Sequence, residues 1–327
     1  MKNTSYLQVL PPKEGESYAS FNIYLLADEN GSFVQYRFRY VLRPVNPELT
    51  FAGGTNDPAN SNHYRICEAY VGTLDGETFT PMYRALQLGE IGMALKEEGA
   101  GDFSGGFHGD EVMLAVSLWA DGCEIPLYAP SFRSFDTAEF SMTTHVFRCN
   151  TPDLPLLVKE QRYTITGDTI RLAQTITWLA DAKPLVAAYS PMLTAQRVNS
   201  TDPSKILTDT VEFLREPGGE VIASYDTTPC APSADGKYAD NVMLNTPATA
   251  VRVYKKNGGF SAEAGYRIMN DSIPASQISS FLAIRYLGAG ADNKIYFNIA
   301  AGAQPKAGTV WQSDIYYRLR ILPAEKN

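Results

Sequence analysis

Residues 99–111, Gly99-Ala100-Gly101-Asp102-Phe103-Ser104-Gly105-Gly106-Phe107-His108-Gly109-Asp110-Glu111, place five glycines, three carboxylates and one of the chain's three histidines in thirteen positions. An imidazole beside a carboxylate is suited to moving a proton, because the carboxylate fixes the ring tautomer and raises its basicity. In extended backbone His108 and Asp110 point to one side and Glu111 to the other, which makes Asp110 the expected partner of His108. Asp110 could equally be a turn residue that accepts from backbone amides. Glycine at this density marks backbone that turns sharply or approaches something closely. The stretch is expected to form the floor of a site.

The other two histidines lie in Asn62-His63-Tyr64-Arg65 and in Thr143-Thr144-His145-Val146-Phe147-Arg148, so the three can meet only through the fold. Histidine and tyrosine can serve as base and acid, and arginine can grip a carboxylate through paired donors. Those types suit β-elimination from a uronic-acid glycan. A base takes the proton α to the carboxylate, a cation neutralises the developing charge, and an acid meets the leaving oxygen. The expected catalytic groups are His108, His63, Tyr64 and His145; Arg65, Arg133, Arg148 and Asp110 are the expected substrate-binding groups. The plain alternative is three unrelated histidines, each hydrogen-bonded locally. No cofactor is expected on the lyase reading. Three histidines with Asp110 or Glu111 could instead hold a divalent metal, although the spacing matches no ligand signature. A glycosidase built on Asp102, Asp110 or Glu111 is a further alternative. So is a glycan- or receptor-binding sandwich without turnover, of the kind found in phage or cell-surface proteins. Gly101–Gly106 does not lead from a strand into a helix, so it is no phosphate-binding loop.

These side chains need a frame, and composition indicates which. A length of 327 residues suits one large β domain or two ordinary ones, and 44% hydrophobic residues can bury a real core. Nineteen tyrosines, with Pro and Gly spread along the chain, suit many short strands joined by turns. The net charge of −8 argues against a nucleic-acid partner. No apolar run approaches the ~18 residues of a membrane span. Met1–Tyr6 lacks the apolar core of a secretory signal, so the expectation is a cytoplasmic protein or a trimmed secreted one. Cys67, Cys123, Cys149 and Cys230 show no close pairing and are expected to be free and mostly buried.

Strand patterns recur along the chain. Val34, Tyr36, Phe38, Tyr40 and Leu42 alternate with polar residues after an Asn30-Gly31 turn. Leu156–Thr166 and Thr169–Leu179 form a hairpin about Gly167-Asp168, and Ala248–Lys256 and Phe260–Met269 form another over Asn257-Gly258-Gly259. Pro184–Arg197 is an apolar stretch broken by Pro191. Pro44–Asn62 and Thr227–Asp240 read as loops. Pro81–Glu98 carries the one respectable helix pattern, with Tyr83, Leu86, Ile91 and Leu95 near one face. Trp119 and Trp178 are expected in the core. There is no repeat and no linker, which favours a single domain over 1–327.

Lys159–Leu172, continuing to Trp178, resembles the central strands of galactose-mutarotase-like supersandwiches, as does Leu185–Met192. The resemblance covers Ala138–Arg197 and the last strand through Trp311 and Tyr317. It implies an all-β fold, a large antiparallel β-sandwich with at most one or two short helices, and a poly- or oligosaccharide partner. The same sandwich occurs in several polysaccharide lyases, in which His, Tyr, Arg and Asn carry elimination.

Overall fold

The computed structural model describes residues 5–43, 60–87, 93–151, 153–199, 201–202, 204–227, 238–244, 248–269, 273, 275–285 and 292–322. They form 21 strands and two short 3-10 turns, with no α-helix among the described residues. The first strands are Ser5–Val9 (β1), Phe21–Leu26 (β2), Ser32–Arg43 (β3), Ser61–Asp75 (β4), Thr78–Gln87 (β5) and Ala94–Glu97 (β6). Next come Glu111–Ala120 (β7), Cys123–Glu124 (β8), Ser131–Phe135 (β9), Thr137–Phe147 (β10), Pro155–Thr166 (β11), Thr169–Trp178 (β12) and Leu185–Gln196 (β13). The chain continues through Thr210–Leu214 (β14), Val221–Asp226 (β15), Tyr238–Leu244 (β16), Ala250–Tyr254 (β17) and Gly259–Ile268 (β18). Ser279–Arg285 (β19), Asp292–Asn298 (β20) and Val310–Leu322 (β21) complete the set.

Two runs of hydrogen-bonded strands meet at β4. One runs β7-β10-β11-β12-β21-β18-β17-β14-β15, all antiparallel. The other runs β9-β1-β2-β3-β4-β5-β13-β20-β19-β16. A short parallel pairing of Ser61 and Asn62 with Glu111 and Val112 joins them. The result is an all-β sandwich. Alternation throughout β10 and β12, and through most of β11 and β21, turns every second side chain to one core. Rings from the two runs meet there, Phe38 against Tyr163 at 5.8 Å and Tyr266 against Phe297 at 5.2 Å.

The helix expected over Pro81–Glu98 is not formed by its described part. Thr78–Gln87 is strand paired with β4, and Ala94–Glu97 is strand paired with β13; residues 88–92 lie outside the described residues. Thr, Phe and Tyr at the start of β5 favour a pleated surface, and the neighbouring strand supplies the backbone bonds. The loop expected over Pro44–Asn62 lies outside the described residues as far as residue 59, and Ser61 and Asn62 already belong to β4. Most of the Thr227–Asp240 loop and Cys230 also lie outside them. The three described cysteines are free, but none is buried: Cys67 and Cys149 are half-buried and Cys123 is exposed. Trp178 is in the core against Trp311, whereas Trp119 is exposed.

Candidate functional site

The glycine-rich stretch leaves β6, bridges back to it at Leu95 and Ser104, makes a 3-10 turn over Gly106–His108 and enters β7. Gly105, Gly106 and Gly109 all have positive φ, as does Asp110 at 53°. Such backbone needs an anchor, and a buried polar cluster beneath supplies it. Glu111 Oε2 accepts from the Gly106 amide at 2.7 Å, and Glu111 Oε1 accepts from the Thr144 hydroxyl at 2.7 Å. Lys159 Nζ pairs with the same Oε1 at 2.7 Å. Burial alone would raise the Glu111 pKa, but Lys159, His63 and the Gly106 amide together lower it to about 2.

His63 belongs to this anchor. It is 1% exposed, with Nε2 3.1 Å from the Gly106 carbonyl and Nδ1 3.3 Å from the Glu111 carbonyl. Burial lowers its pKa, against an opposing pull from the Glu111 carboxylate. Each of the two carbonyls accepts only when the ring nitrogen facing it carries a proton. Arg65 sits beside it, donating to the Phe107 carbonyl at 3.2 Å with its guanidinium 4.8 Å over the Phe107 ring.

His108 tops the turn. The carboxylate at its Nδ1 is Asp102, 3.4 Å away, and not Asp110. The Asp110 side chain is buried and accepts from the Asn150 amide at 2.8 Å, holding the β10–β11 turn. Burial raises its pKa. The extended backbone assumed in pairing Asp110 with His108 is replaced by the 3-10 turn and a left-handed residue, which re-aim both side chains.

The His108 ring lies 4.9 Å from Phe103, and Phe103 stacks on Tyr189 at 5.3 Å. Tyr189 in turn meets Tyr296 at 4.7 Å. Lys96 Nζ stands 5.7 Å over Phe103, and Lys294 Nζ stands 4.9 Å over Tyr296. Ala94, Met192 and Tyr296 form a small buried cluster apart from the main core, and the half-buried Phe103 and Tyr189 pack against it. The β13–β20 register slips between Tyr189 and Met192, so both residues reach that patch despite their odd spacing. Of these residues, only Asp102, Phe103 and His108 lie within the glycine-rich stretch 99–111. Pro191 inside an apolar strand was the local signal for the bulge; Tyr296, Lys96 and Lys294 had none.

The remaining expected groups lie elsewhere. Tyr64 is in the core, its hydroxyl donating to the Ala19 carbonyl at 2.7 Å, and burial raises its pKa strongly. His145 faces outward from β10 beside Phe147, opposite in pleat to the buried Thr144. Arg148 makes a two-pronged pair with the buried Glu97, at 2.8 and 3.1 Å. Arg133 is on β9, paired in register with Leu7 of β1. The fold thus brings His63, Arg65 and His108 to one turn and leaves His145 on the outer face of its own strand. Among the described residues no three of His, Cys, Asp and Glu are grouped to hold a metal ion, so the divalent-metal alternative finds no ligand set there.

No family model and no curated protein matches the chain. Among solved structures it is similar to a candidate aldose 1-epimerase from Klebsiella pneumoniae, at 11% identity over 94% of this chain and 85% of that one, with a TM-score of 0.38. It is also similar to a galactose mutarotase related enzyme from Lactobacillus acidophilus, at 10% identity over 79% and 95%, with a TM-score of 0.34. A Synechocystis protein is similar at 9% identity over 96% and 98%, with a TM-score of 0.43. The chain therefore bears a weak resemblance to the galactose-mutarotase-like fold. At these values the likeness does not bear on chemistry, which has to come from the site's own residues.

Proposed function

We propose that this chain is a carbohydrate-active protein that holds an acidic saccharide against the half-buried Phe103 and Tyr189 rings and moves a proton at His108. The observation that carries this reading is the His108 ring beside Phe103 at the end of a run of aromatic rings, with the Asp102 carboxylate 3.4 Å from its Nδ1. Aromatic faces suit the apolar CH faces of sugars. The Lys96 and Lys294 ammonium groups flank the run and suit a uronate carboxylate.

The chemistry that fits is β-elimination. His108 takes the proton α to the carboxylate, the electron pair becomes the new carbon–carbon double bond, and the bond to the glycosidic oxygen breaks. His108, now protonated, returns its proton to the leaving oxygen. This route uses one residue as base and then acid, in keeping with Tyr64 being held in the core and His145 facing outward. The lysines offset the negative charge that develops on the carboxylate.

Those same placements favour a second reading, saccharide binding without turnover. Two of the groups expected to assist elimination, Tyr64 and Arg148, are occupied by structural partners. Incubation with pectate, alginate and hyaluronate, followed by ultraviolet absorbance of the unsaturated product, separates the two. Turnover by the wild type, abolished in a folded His108→Ala that still binds the polymer, supports elimination. Binding with no absorbance change from any of the three supports the second reading, and an absence of binding overturns both.

A further inference from the structure

A groove of about 880 Å³ lies on the outer face of β12, β21 and β18, walled on one side by the turn through Glu216, Pro217 and Gly218. It is built from strands other than those of the His108 patch. Its floor has an unusual construction. Tyr316 stands opposite Gly265 in the β18–β21 register, and a Cβ on Gly265 would collide with Cε1 and the hydroxyl of Tyr316. The ring therefore lies down across the glycine, and its hydroxyl donates to Glu263 Oε1 at 2.8 Å. An aromatic ring laid along a sheet offers its free face to whatever occupies the groove.

Opposite Tyr316 on the other side is Arg171 of β12, an exposed residue whose guanidinium no hydrogen bond or ion pair engages among the described residues. One row further, Arg267 and Asp314 stand in register with nitrogen and oxygen 4.0 Å apart, too far for a firm bond. Strand spacing of about 4.8 Å spreads Arg171, Tyr316 and Gly265 over roughly 10 Å, the scale of a disaccharide. A flat ring edged by an unengaged guanidinium, with Glu263 and Asp314 beside it, matches a ligand having an apolar face, several hydroxyl donors and one carboxylate.

We propose that this groove is a second saccharide site, which takes a uronate-bearing oligosaccharide with the sugar on Tyr316 and its carboxylate on Arg171. The site stands on its own residues and does not depend on His108 chemistry. Calorimetric titration with trigalacturonate, using maltotriose as the neutral control, tests it in the full chain. Arg171→Ala removes one charge-assisted contact from an exposed position and is expected to weaken trigalacturonate binding at this site about tenfold or more. Gly265→Ala displaces the ring, and presses on the Thr249 carbonyl as well, without altering charge; where it folds, it is expected to weaken the same phase. Phe103→Ala, which perturbs the other patch, is expected to leave it. The proposal is overturned if Arg171→Ala and folded Gly265→Ala both bind as the wild type does, if Phe103→Ala abolishes all binding, or if maltotriose binds the groove as tightly as trigalacturonate. Loss confined to the Arg171 and Gly265 variants would stand even if His108→Ala showed no effect on turnover.

Discussion

Lys159 Nζ and Glu111 Oε1 form a 2.7 Å ion pair with side chains 2% and 0% exposed, directly beneath the turn that carries His108. Two buried charges cost more desolvation than their attraction returns unless further bonds complete them. Here the Gly106 amide and the Thr144 hydroxyl do so. The pair is thus the anchor of a glycine-rich turn that its own sequence would leave loose.

The depressed Glu111 pKa fixes an acid limb of stability. Its folded value of about 2 lies below the ordinary 4.5, so between those values the unfolded chain binds the extra proton. The stabilisation is complete above about pH 4.5 and is lost as pH falls towards 2. Urea denaturation across this window is expected to show the decline. Glu111→Gln, with Lys159 left uncompensated, is expected to be less stable at pH 7 and to lack that part of the slope.

Arg148 and Tyr64 are expected to matter for stability and not for saccharide chemistry. Arg148→Ala strips the buried Glu97 of its two-pronged partner, leaving the Lys183 amide at 2.8 Å. The expected cost is roughly 2–3 kcal/mol, read by denaturation. Tyr64→Phe removes one buried bond to the Ala19 carbonyl and is expected to cost about 1 kcal/mol. A large loss of saccharide turnover in folded Tyr64→Phe would return that hydroxyl to the reaction.

The strands were legible because their signal is local. Val34, Tyr36, Phe38 and Tyr40 are buried in β3 as the alternation predicts, although Gln35 is buried too and Leu42 at the strand's end is exposed, and the Gly167-Asp168 turn falls where β11 meets β12. The helix expected over Pro81–Glu98 failed for the complementary reason. Tyr83 and Leu86 sit at a helical spacing, but pairing with a strand distant in sequence decided the backbone. The site was legible only as a place. His108 stood out by its glycine frame, yet its carboxylate was assigned by assuming extended backbone, and the left-handed Asp110 breaks that assumption. Tyr189 meets Phe103, and Tyr296 meets Tyr189, through a bulge that only Pro191 hints at and a strand pairing that leaves no motif in the residues themselves.

Asp102 is expected to act through His108. Its Oδ1 lies 3.4 Å from His108 Nδ1 and also accepts from the Phe103 amide at 2.8 Å, which fixes the carboxylate in place. Asp102→Asn keeps the shape but removes the charge beside the imidazole. Turnover is expected to fall with little change in KM. A KM increase at unchanged kcat would instead make Asp102 a saccharide contact.

Two glycines of the same stretch differ in the space that a side chain would meet, and Gly105 at φ 87° and ψ 158° also holds backbone that only glycine adopts readily. Gly99 and Gly105 both have positive φ, at 77° and 87°. A Cβ on Gly99 meets nothing within 4 Å, so Gly99→Ala carries only the left-handed penalty of about 1–2 kcal/mol. A Cβ on Gly105 would stand 2.7 Å from the Met93 carbonyl oxygen, a backbone atom of the segment leading into β6. Relief would require the turn to lift from β6, taking His108 away from Phe103. Gly105→Ala is therefore expected to cost clearly more stability than Gly99→Ala and to impair saccharide chemistry, whereas Gly99→Ala keeps it. Equal denaturation midpoints for the two variants would show that the turn has room to move, and that His108 does not depend on its fit against β6.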